Sequence, residues 1–194
     1  MATKTKELKG LTQDMTAPVT NRHAAVTDPS DWVERFADRA PGGSPVLDLA
    51  CGGGRHGRLF RERGHPVTFV DIDVTGLQDL QGDPGATVIA ADLEGGDAWP
   101  LGTSGFGAVV VTNYLWRPLM PQIVAAVAPG GILIYETFAV GNEKYGKPDN
   151  PDFLLHPNEL ARAVINDLEI TAYRHGFREQ PKPAVVQAIA ATRI

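Results

Sequence analysis

Cysteine is almost absent from this chain, and long apolar runs and a strong net charge are missing. The 194 residues include one cysteine, Cys51, which excludes an internal disulfide and a cluster of cysteine metal ligands, and we predict no metal site. The net charge of −5 argues against nucleic acid or an anionic membrane as partners, because phosphate binding needs a basic face. No stretch reaches the length of a membrane-spanning helix, and the N-terminus lacks the apolar core of a secretory signal. We therefore expect a cytoplasmic protein.

The length and composition predict one globular domain preceded by a polar segment. Residues 1–27 show no clear hydrophobic period, so we interpret them as a flexible lead-in, with a single domain over residues 28–194. Asp28 followed by Pro29 is typical of a helix start, which would make Asp28 the N-cap of a helix that ends at residues 41–43.

Apolar runs of strand length alternate with helical patterns along most of the chain. Alternation of this kind predicts a mostly parallel sheet with right-handed crossovers and helices on both faces. The last two runs have no room for a helix between them, so they should pair as an antiparallel hairpin. The predicted strands are residues 46–50, 67–70, 86–91, 106–112, 132–137, 168–176 and 184–191.

One stretch, residues 45–60, organises the rest of the chain. A buried strand carrying Asp48 is followed by three consecutive glycines and then by a helix from Arg55 to Arg63. Glycines let the backbone approach a ligand closely, and a helix N-terminus offers unpaired N–H groups. The buried Asp48 carboxylate needs partners, which either N–H groups of the loop or the ammonium of a bound ligand could supply.

The sequence from Val46 to Gly54 resembles motif I of the class I S-adenosylmethionine (SAM) methyltransferases, V-L-D-x-G-x-G-x-G. Ala50 stands in place of the first glycine, while Gly52 and Gly54 match the other two. From about Trp32 onward the chain is similar to small bacterial methyltransferases of the tellurite-resistance type. The resemblance implies a Rossmann-like, seven-stranded sheet whose last strand inserts between the fifth and sixth. It also implies SAM as cofactor, S-adenosylhomocysteine (SAH) as product, and cofactor contacts from residues 50–54, Cys51 included.

The residues that follow each strand are the next candidates for cofactor contacts, because ligands bind beyond the carboxyl ends of strands in open α/β sheets. Asp71, with Ile72 beside it, follows the second strand and can accept two hydrogen bonds from ribose hydroxyls. Asp73 is the competing residue, although an aspartate two residues further on is more commonly a helix N-cap.

The third and fourth strands are also followed by candidate cofactor residues. By the resemblance, Asp92 accepts a hydrogen bond from the adenine amino group and the N–H of Leu93 meets a ring nitrogen; the alternative for Asp92 is a solvated loop acid. Asn113 and Tyr114 follow the fourth strand and should pass beside the sulfonium, where an aromatic face suits a cation. The alternative for Tyr114 is packing alone.

Residues 138–156 form a predicted loop that is longer than most βα connections, and such loops tend to be functional. We interpret it as a lid over the methyl acceptor. Glu136, Tyr145 and His156 are the candidate catalytic residues, as a base or as orienting groups, with a helix-capping or surface role as the alternative for His156. A base is needed only when the acceptor is not already a good nucleophile.

These features predict methyl transfer from SAM to an unidentified small-molecule acceptor by a monomer or homodimer. A nicotinamide-dependent oxidoreductase is the alternative, because residues 52–57 also fit G-x-G-x-x-G and Asp71 follows at a suitable distance. Asp48 disfavours that alternative, since its charge would repel a pyrophosphate. A SAM-binding protein without catalysis is a third hypothesis.

Overall fold

A computed structural model describes residues 28–96, 99–102 and 105–194 of the chain, and the predicted lead-in, residues 1–27, lies outside the described residues. The strands are β1 (Val46–Leu49), β2 (Val67–Asp71), β3 (Ala86–Ala90), β4 (Phe106–Thr112), β5 (Val127–Phe138), β6 (Glu169–Arg178) and β7 (Ala184–Thr192). The α-helices are α1 (Asp31–Phe36), α2 (Arg55–Glu62), α3 (Met120–Ala125) and α4 (Glu159–Val164). Short 3-10 turns lie at Ala37–Arg39, Thr75–Leu80, Arg117–Leu119, Asn142–Lys144 and Pro151–Phe153.

All seven strands belong to one sheet in the order β3-β2-β1-β4-β5-β7-β6. The pairs from β3 across to β5 are parallel, whereas β7 runs antiparallel to both β5 and β6. The predicted sheet is thereby confirmed, including the C-terminal hairpin and the insertion of the last strand between the fifth and the sixth. The carboxyl ends of β1 to β6 all lie at one edge of the sheet, and the carboxyl end of β7 lies at the opposite edge.

Helices cover both faces of the sheet, as predicted. On one face α1 and α2 bury Trp32, Val33 and Phe60 against alternate residues of the strands, and on the other α3 and α4 bury Ile123 and Leu160. Each such side chain contributes about 1.5–3 kcal/mol when it leaves water. Because the central strands are covered on both sides, β1 and most of β4 are buried at consecutive positions rather than alternate ones.

The ends of several elements differ from the prediction. The N-cap of α1 is Ser30, not Asp28: the Ser30 hydroxyl oxygen accepts a hydrogen bond from the N–H of Val33 at 3.1 Å, whereas Asp28 uses its carbonyl to accept from Arg55. The strand predicted over residues 132–137 starts earlier than expected, soon after the short helix α3. Residues 127–131 belong to β5, which begins opposite Phe106 and continues after an irregularity in the pairing register.

Among the described residues there is no helix with both the length and the apolar character needed to cross a membrane. The same residues contain no group of three histidine, cysteine, aspartate or glutamate side chains arranged as metal ligands.

Candidate active site

The glycine loop lies at the carboxyl edge of the sheet, between β1 and α2. Ala50, Gly52 and Gly54 all have positive φ, at 51°, 55° and 73°. This left-handed backbone suits glycine and strains an alanine, so Ala50 is a local departure that the fold tolerates. A Cβ placed on Gly52 or Gly53 would meet no atom within 4 Å, so both glycines border open space where a ligand could approach the backbone.

Asp48 is buried in β1 and stabilises the start of α2. Its Oδ2 accepts a hydrogen bond from the N–H of Gly57 at 2.7 Å. Gly54 occupies the N-cap position of α2 and has no side chain to cap the helix, so the Asp48 carboxylate from β1 satisfies one of the unpaired N–H groups instead. Burial raises the pKa of Asp48 to about 7, against the lowering effects of the Gly57 hydrogen bond and of Arg55.

Asp71 ties the end of β2 to the glycine loop. Its Oδ2 accepts from the N–H of Gly52 at 2.7 Å, and its Oδ1 accepts from the N–H of Asp73 at 3.0 Å. Asp73 faces away from the loop and accepts from the N–H and the hydroxyl of Thr75. Of the two aspartates, Asp71 is therefore the one that the structure places against the glycine loop, and Ile72 beside it is 69% exposed.

Asp92 and Leu93 follow β3 at the same edge of the sheet. The Asp92 Oδ1 accepts from the N–H groups of Glu94 and Gly95, at 2.9 and 3.0 Å, which folds the backbone into a tight turn. The side chain of Leu93 is half-buried and packs against the core cluster that contains β4. Since Asp92 is exposed, its second oxygen is accessible to a ligand.

Tyr114 lies beside these carboxylates and brings an unsatisfied polar group into the site. Its hydroxyl is buried and lies close to the Glu94 carboxylate, but it makes no hydrogen bond of ordinary geometry among the described residues. Burial raises the pKa of this hydroxyl, and the charges of Glu94, Asp92 and Asp71 act in the same direction. Asn113, the residue before it, has a φ of 54° and turns the chain out of β4.

Cys51 packs into the core under the loop. Its N–H donates to the carbonyl of Val70 at 3.1 Å, which joins the loop to β2, and its side chain is buried. Burial and the nearby charges of Asp48 and Asp71 raise the pKa of the thiol. The thiol is therefore held protonated.

Glu136 is buried near the end of β5 and is paired with two arginines. Arg174 donates to its Oε2, and Arg178 donates to its Oε1 at 3.1 Å. The predicted candidate for a base therefore has both carboxylate oxygens bonded to guanidinium groups. Glu136 lies on the face of the sheet covered by α1 and α2.

Tyr145 and His156 lie apart from Glu136. The Tyr145 ring is 49% exposed and packs on Phe177 of β6, with ring centroids 5.0 Å apart. His156 precedes α4 on the opposite face of the sheet, where its N–H donates to Glu159 at 2.7 Å and its side chain is exposed. The structure does not gather the three predicted catalytic side chains at one point.

The long loop after β5 is held by hydrogen bonds from polar side chains. Arg117 donates to the carbonyls of residues 152 and 154 and to the carboxylate of Glu159. Asn142 is buried and bonds both to the Pro148 carbonyl and to the N–H of Val185. Gln187 of β7 donates to the His156 carbonyl at 2.7 Å. The loop is thus a preformed wall beside the edge of the sheet.

Two polar features near the loop were not among the sequence predictions. His56 of α2 is buried, accepts from the N–H of Ser30 at 3.3 Å, and bonds through Nδ1 to Thr112 at 3.2 Å. Burial and the charge of Arg55 lower the pKa of His56 to about 3, so the ring is neutral. The second feature is the arginine pair on β6; the spacing of Arg174 and Arg178 puts both on one face of a strand, a signal visible in the sequence.

Comparison with known proteins gives relatives for the chain. No model of a known protein family matches it. The malonyl-[acyl-carrier protein] O-methyltransferase of Pseudescherichia vulneris is 30% identical over 169 residues, which cover 82% of this chain and 65% of the relative. The chain therefore spans less than two thirds of the length of that curated relative.

Solved structures give the class of fold. TehB from Haemophilus influenzae is similar with a TM-score of 0.66 at 19% identity, covering 84% of this chain and 62% of that one. The glycopeptide N-methyltransferase MtfA in complex with SAM gives a TM-score of 0.60 at 19% identity, covering 91% of this chain and 100% of that one. MtfA has also been solved with SAH and with sinefungin.

The chain has the class I SAM-dependent methyltransferase fold. The proteins it resembles are methyltransferases, including proteins of the TehB type, and the resemblance predicted from motif I is confirmed.

Proposed function

We propose that this protein is a SAM-dependent methyltransferase that acts on a small-molecule acceptor and releases SAH. The observation that carries the proposal is the row of carboxylates Asp48, Asp71 and Asp92, which lie at or near the ends of three neighbouring strands, around a glycine loop that borders open space. The Tyr114 hydroxyl, which lacks a hydrogen bond of ordinary geometry, lies near Asp71 and Asp92, where a polar ligand could complete its hydrogen bonding. The methyltransferase relatives and the SAM complexes of similar structures support the same activity.

Each carboxylate has a distinct role in this proposal. Asp71 accepts hydrogen bonds from the ribose hydroxyls with the lone pairs that the N–H groups of Gly52 and Asp73 leave free. Asp92 accepts from the adenine amino group, next to the N–H of Leu93. Asp48 supplies negative charge beneath the loop in its ionised form, which the ammonium of the amino-acid end would favour over the protonated form. Ile72 offers an exposed apolar contact beside the nucleoside.

Methyl transfer from SAM mainly requires the protein to hold the methyl donor and the acceptor in the right relative position. SAM supplies an activated methyl carbon: the acceptor's lone pair forms the new bond while the electrons of the S–C bond pass to sulfur. The chain holds the donor against the strand ends and uses the preformed loop of residues 138–156 as a wall for the acceptor.

The test is calorimetric titration with SAM, SAH and NADH. We expect SAM and SAH to bind and NADH not to bind. Asp71→Ala should weaken SAH binding by about 1–3 kcal/mol, because hydrogen bonds to a charged acceptor are lost. The matched variant Asp73→Ala removes a neighbouring carboxylate that faces Thr75 and should retain affinity. Binding of NADH alone, or unchanged SAH affinity in folded Asp71→Ala, would contradict the proposal.

A further inference from the structure

Three arginines, Arg55, Arg174 and Arg178, lie together on the face of the sheet that α1 and α2 cover; we refer to them as the arginine cluster. Arg174 and Arg178 both bond to Glu136, which is only 1% exposed. The charges of Glu136 and Arg178 both act on Arg55 at the start of α2. One buried carboxylate therefore lies among three guanidinium groups.

The strand register explains how the cluster forms. Glu136 of β5 is opposite Ala188 of β7, and Ala188 is opposite Arg174 of β6, so the three side chains share one face. Because Ala188 is small, the arginines of β6 extend across β7 to the carboxylate. On its other side Glu136 is opposite Thr112 of β4. The line of residues from Arg174 through Ala188 and Glu136 to Thr112 therefore reaches the centre of the sheet.

Two arginines of the cluster, Arg174 and Arg178, share a single buried carboxylate, that of Glu136. Besides Glu136, the carboxylate nearest to Arg174 is Asp31, at 3.3 Å, and its side chain is 71% exposed, so water screens it. Arg55 is bonded to the carbonyl of Asp28, and the negative charges of Asp48 and Asp28 also act on it. Two guanidinium groups that share one buried carboxylate leave partly buried positive charge, which an anion would compensate.

The hydrogen bonding of the cluster is also incomplete. The Nε atoms of Arg174 and Arg178 are buried and have no hydrogen-bond partner among the described residues. The Arg178 side chain is 13% exposed, so water reaches little of it. Guanidinium groups present several N–H donors in a plane that matches the two oxygens of a carboxylate. The unpartnered donors and the shared carboxylate favour the same kind of ligand group, an anion.

The position of the cluster relates that anion to the methyl acceptor. Asp71 and Asp92, the proposed nucleoside contacts, lie on β2 and β3 at one side of the sheet, whereas the arginines of β6 lie at the other. Between them are the ends of β4 and β5, next to the loop that forms the proposed acceptor wall. We propose that the methyl acceptor carries a carboxylate or similar anionic group, and that the arginine cluster binds this group. The inference rests on the proposed methyl transfer.

The test uses malonate as an anionic probe and malonamide as its uncharged analogue, titrated calorimetrically into protein saturated with SAH. We expect malonate to bind and malonamide not to bind. Arg178→Met should weaken malonate binding about tenfold or more, because a charge-assisted contact is lost. Arg162→Met, which removes an exposed arginine of α4, should leave malonate binding unchanged.

Loss of Arg178 also removes one partner of buried Glu136 and could destabilise the fold. The double variant Glu136→Gln/Arg178→Met is the control for this effect, because it removes both charges together. It should fold and should also fail to bind malonate. Equal binding of malonate and malonamide, no malonate binding, or equal loss in Arg162→Met overturns the inference.

Two controls separate this inference from the proposed function. If Arg178→Met weakens SAH but not 5′-methylthioadenosine, which lacks the amino-acid group, the cluster holds the cofactor's carboxylate and the acceptor assignment is wrong. Malonate is also titrated without SAH. Absence of SAH binding with retained malonate binding would contradict the methyl-transfer proposal while leaving the anion site in place.

Discussion

Asp48 combines a structural role with a titration near neutral pH. The folded pKa of about 7 lies above the ordinary value of 3.8, so the folded protein binds this proton more tightly than the unfolded chain does. The stabilisation from this proton is complete below about pH 4 and is lost as the pH rises towards 7. A rise of this size corresponds to roughly 4 kcal/mol at most.

The free energy of unfolding of the wild-type protein should therefore fall, relative to that of Asp48→Asn, as the pH rises from 4 to 7. The difference should continue to change through pH 7 and become constant about one pH unit above it. Urea denaturation across this range measures it. Asp79→Asn is a useful comparison, because the Arg58 hydrogen bond lowers the pKa of Asp79 and no such trend should occur. A difference between wild type and Asp48→Asn that does not vary with pH would contradict the role given to burial.

The position of Asp71 could be predicted from the local sequence, whereas the pairing of Glu136 could not, because it depends on contacts between strands. Asp71 was predicted to be a ligand residue from its place after a strand, and it does lie against Gly52. The arginine pairing of Glu136 was not predicted. The predicted sixth strand ended at Gly176, so Arg178 was not part of it. The alignment of β6 with β5 depends on how both strands pair with β7, and no local sequence pattern indicates that pairing.

At the scale of elements, the packing of α2 on β2 depends on a helix residue without a side chain. A Cβ at Gly57 would lie 2.2 Å from Cε1 of Phe69, whose ring is fully buried and has no room to move. Replacement of a helix glycine by alanine normally stabilises a helix by about 0.5–1 kcal/mol. At Gly57 the clash with Phe69 should instead make the replacement by alanine destabilising.

Gly57→Ala should destabilise the protein by about 1–3 kcal/mol in chemical denaturation, as overpacking does in other cores. Gly53→Ala is the matched control, because its Cβ would meet no atom within 4 Å and its φ is not positive. The control should change stability by less than about 0.5 kcal/mol. A neutral or stabilising Gly57→Ala would show that α2 can shift away from β2.

Element types were predicted better than element ends. The seven strands follow from apolar runs separated by turn residues, whereas the start of α1 depends on which of two neighbouring polar residues caps it, and Ser30 rather than Asp28 does so. The early start of β5 also escaped prediction. Its first part contains Pro129 and two glycines, which signal a turn, yet Val127 still pairs with Phe106 across the irregular register.

At the scale of the whole molecule, the proposed cofactor site should couple ligand binding to global stability. A ligand that binds only the folded protein stabilises it by about 2.7 kcal/mol at a concentration of one hundred times Kd. For a chain of this length each kcal/mol raises Tm by roughly 2–4 °C, so SAH at that concentration should raise Tm by about 5–10 °C. Differential scanning calorimetry measures the shift. An equal shift with NADH, or none with SAH, contradicts the assignment.

The insertion of β7 between β5 and β6 has a consequence for folding during synthesis. The ribosome makes β6 before β7, but β6 contacts the rest of the sheet only through β7. Until β7 emerges, β6 has no partner strand, Arg174 and Arg178 remain away from Glu136, and Glu136 is left without its counter-charges. The first five strands can pair early, because their contacts follow sequence order more closely. The proposed acceptor side is thus the last part of the molecule to form, and a nascent chain acquires its cofactor residues before its arginine cluster.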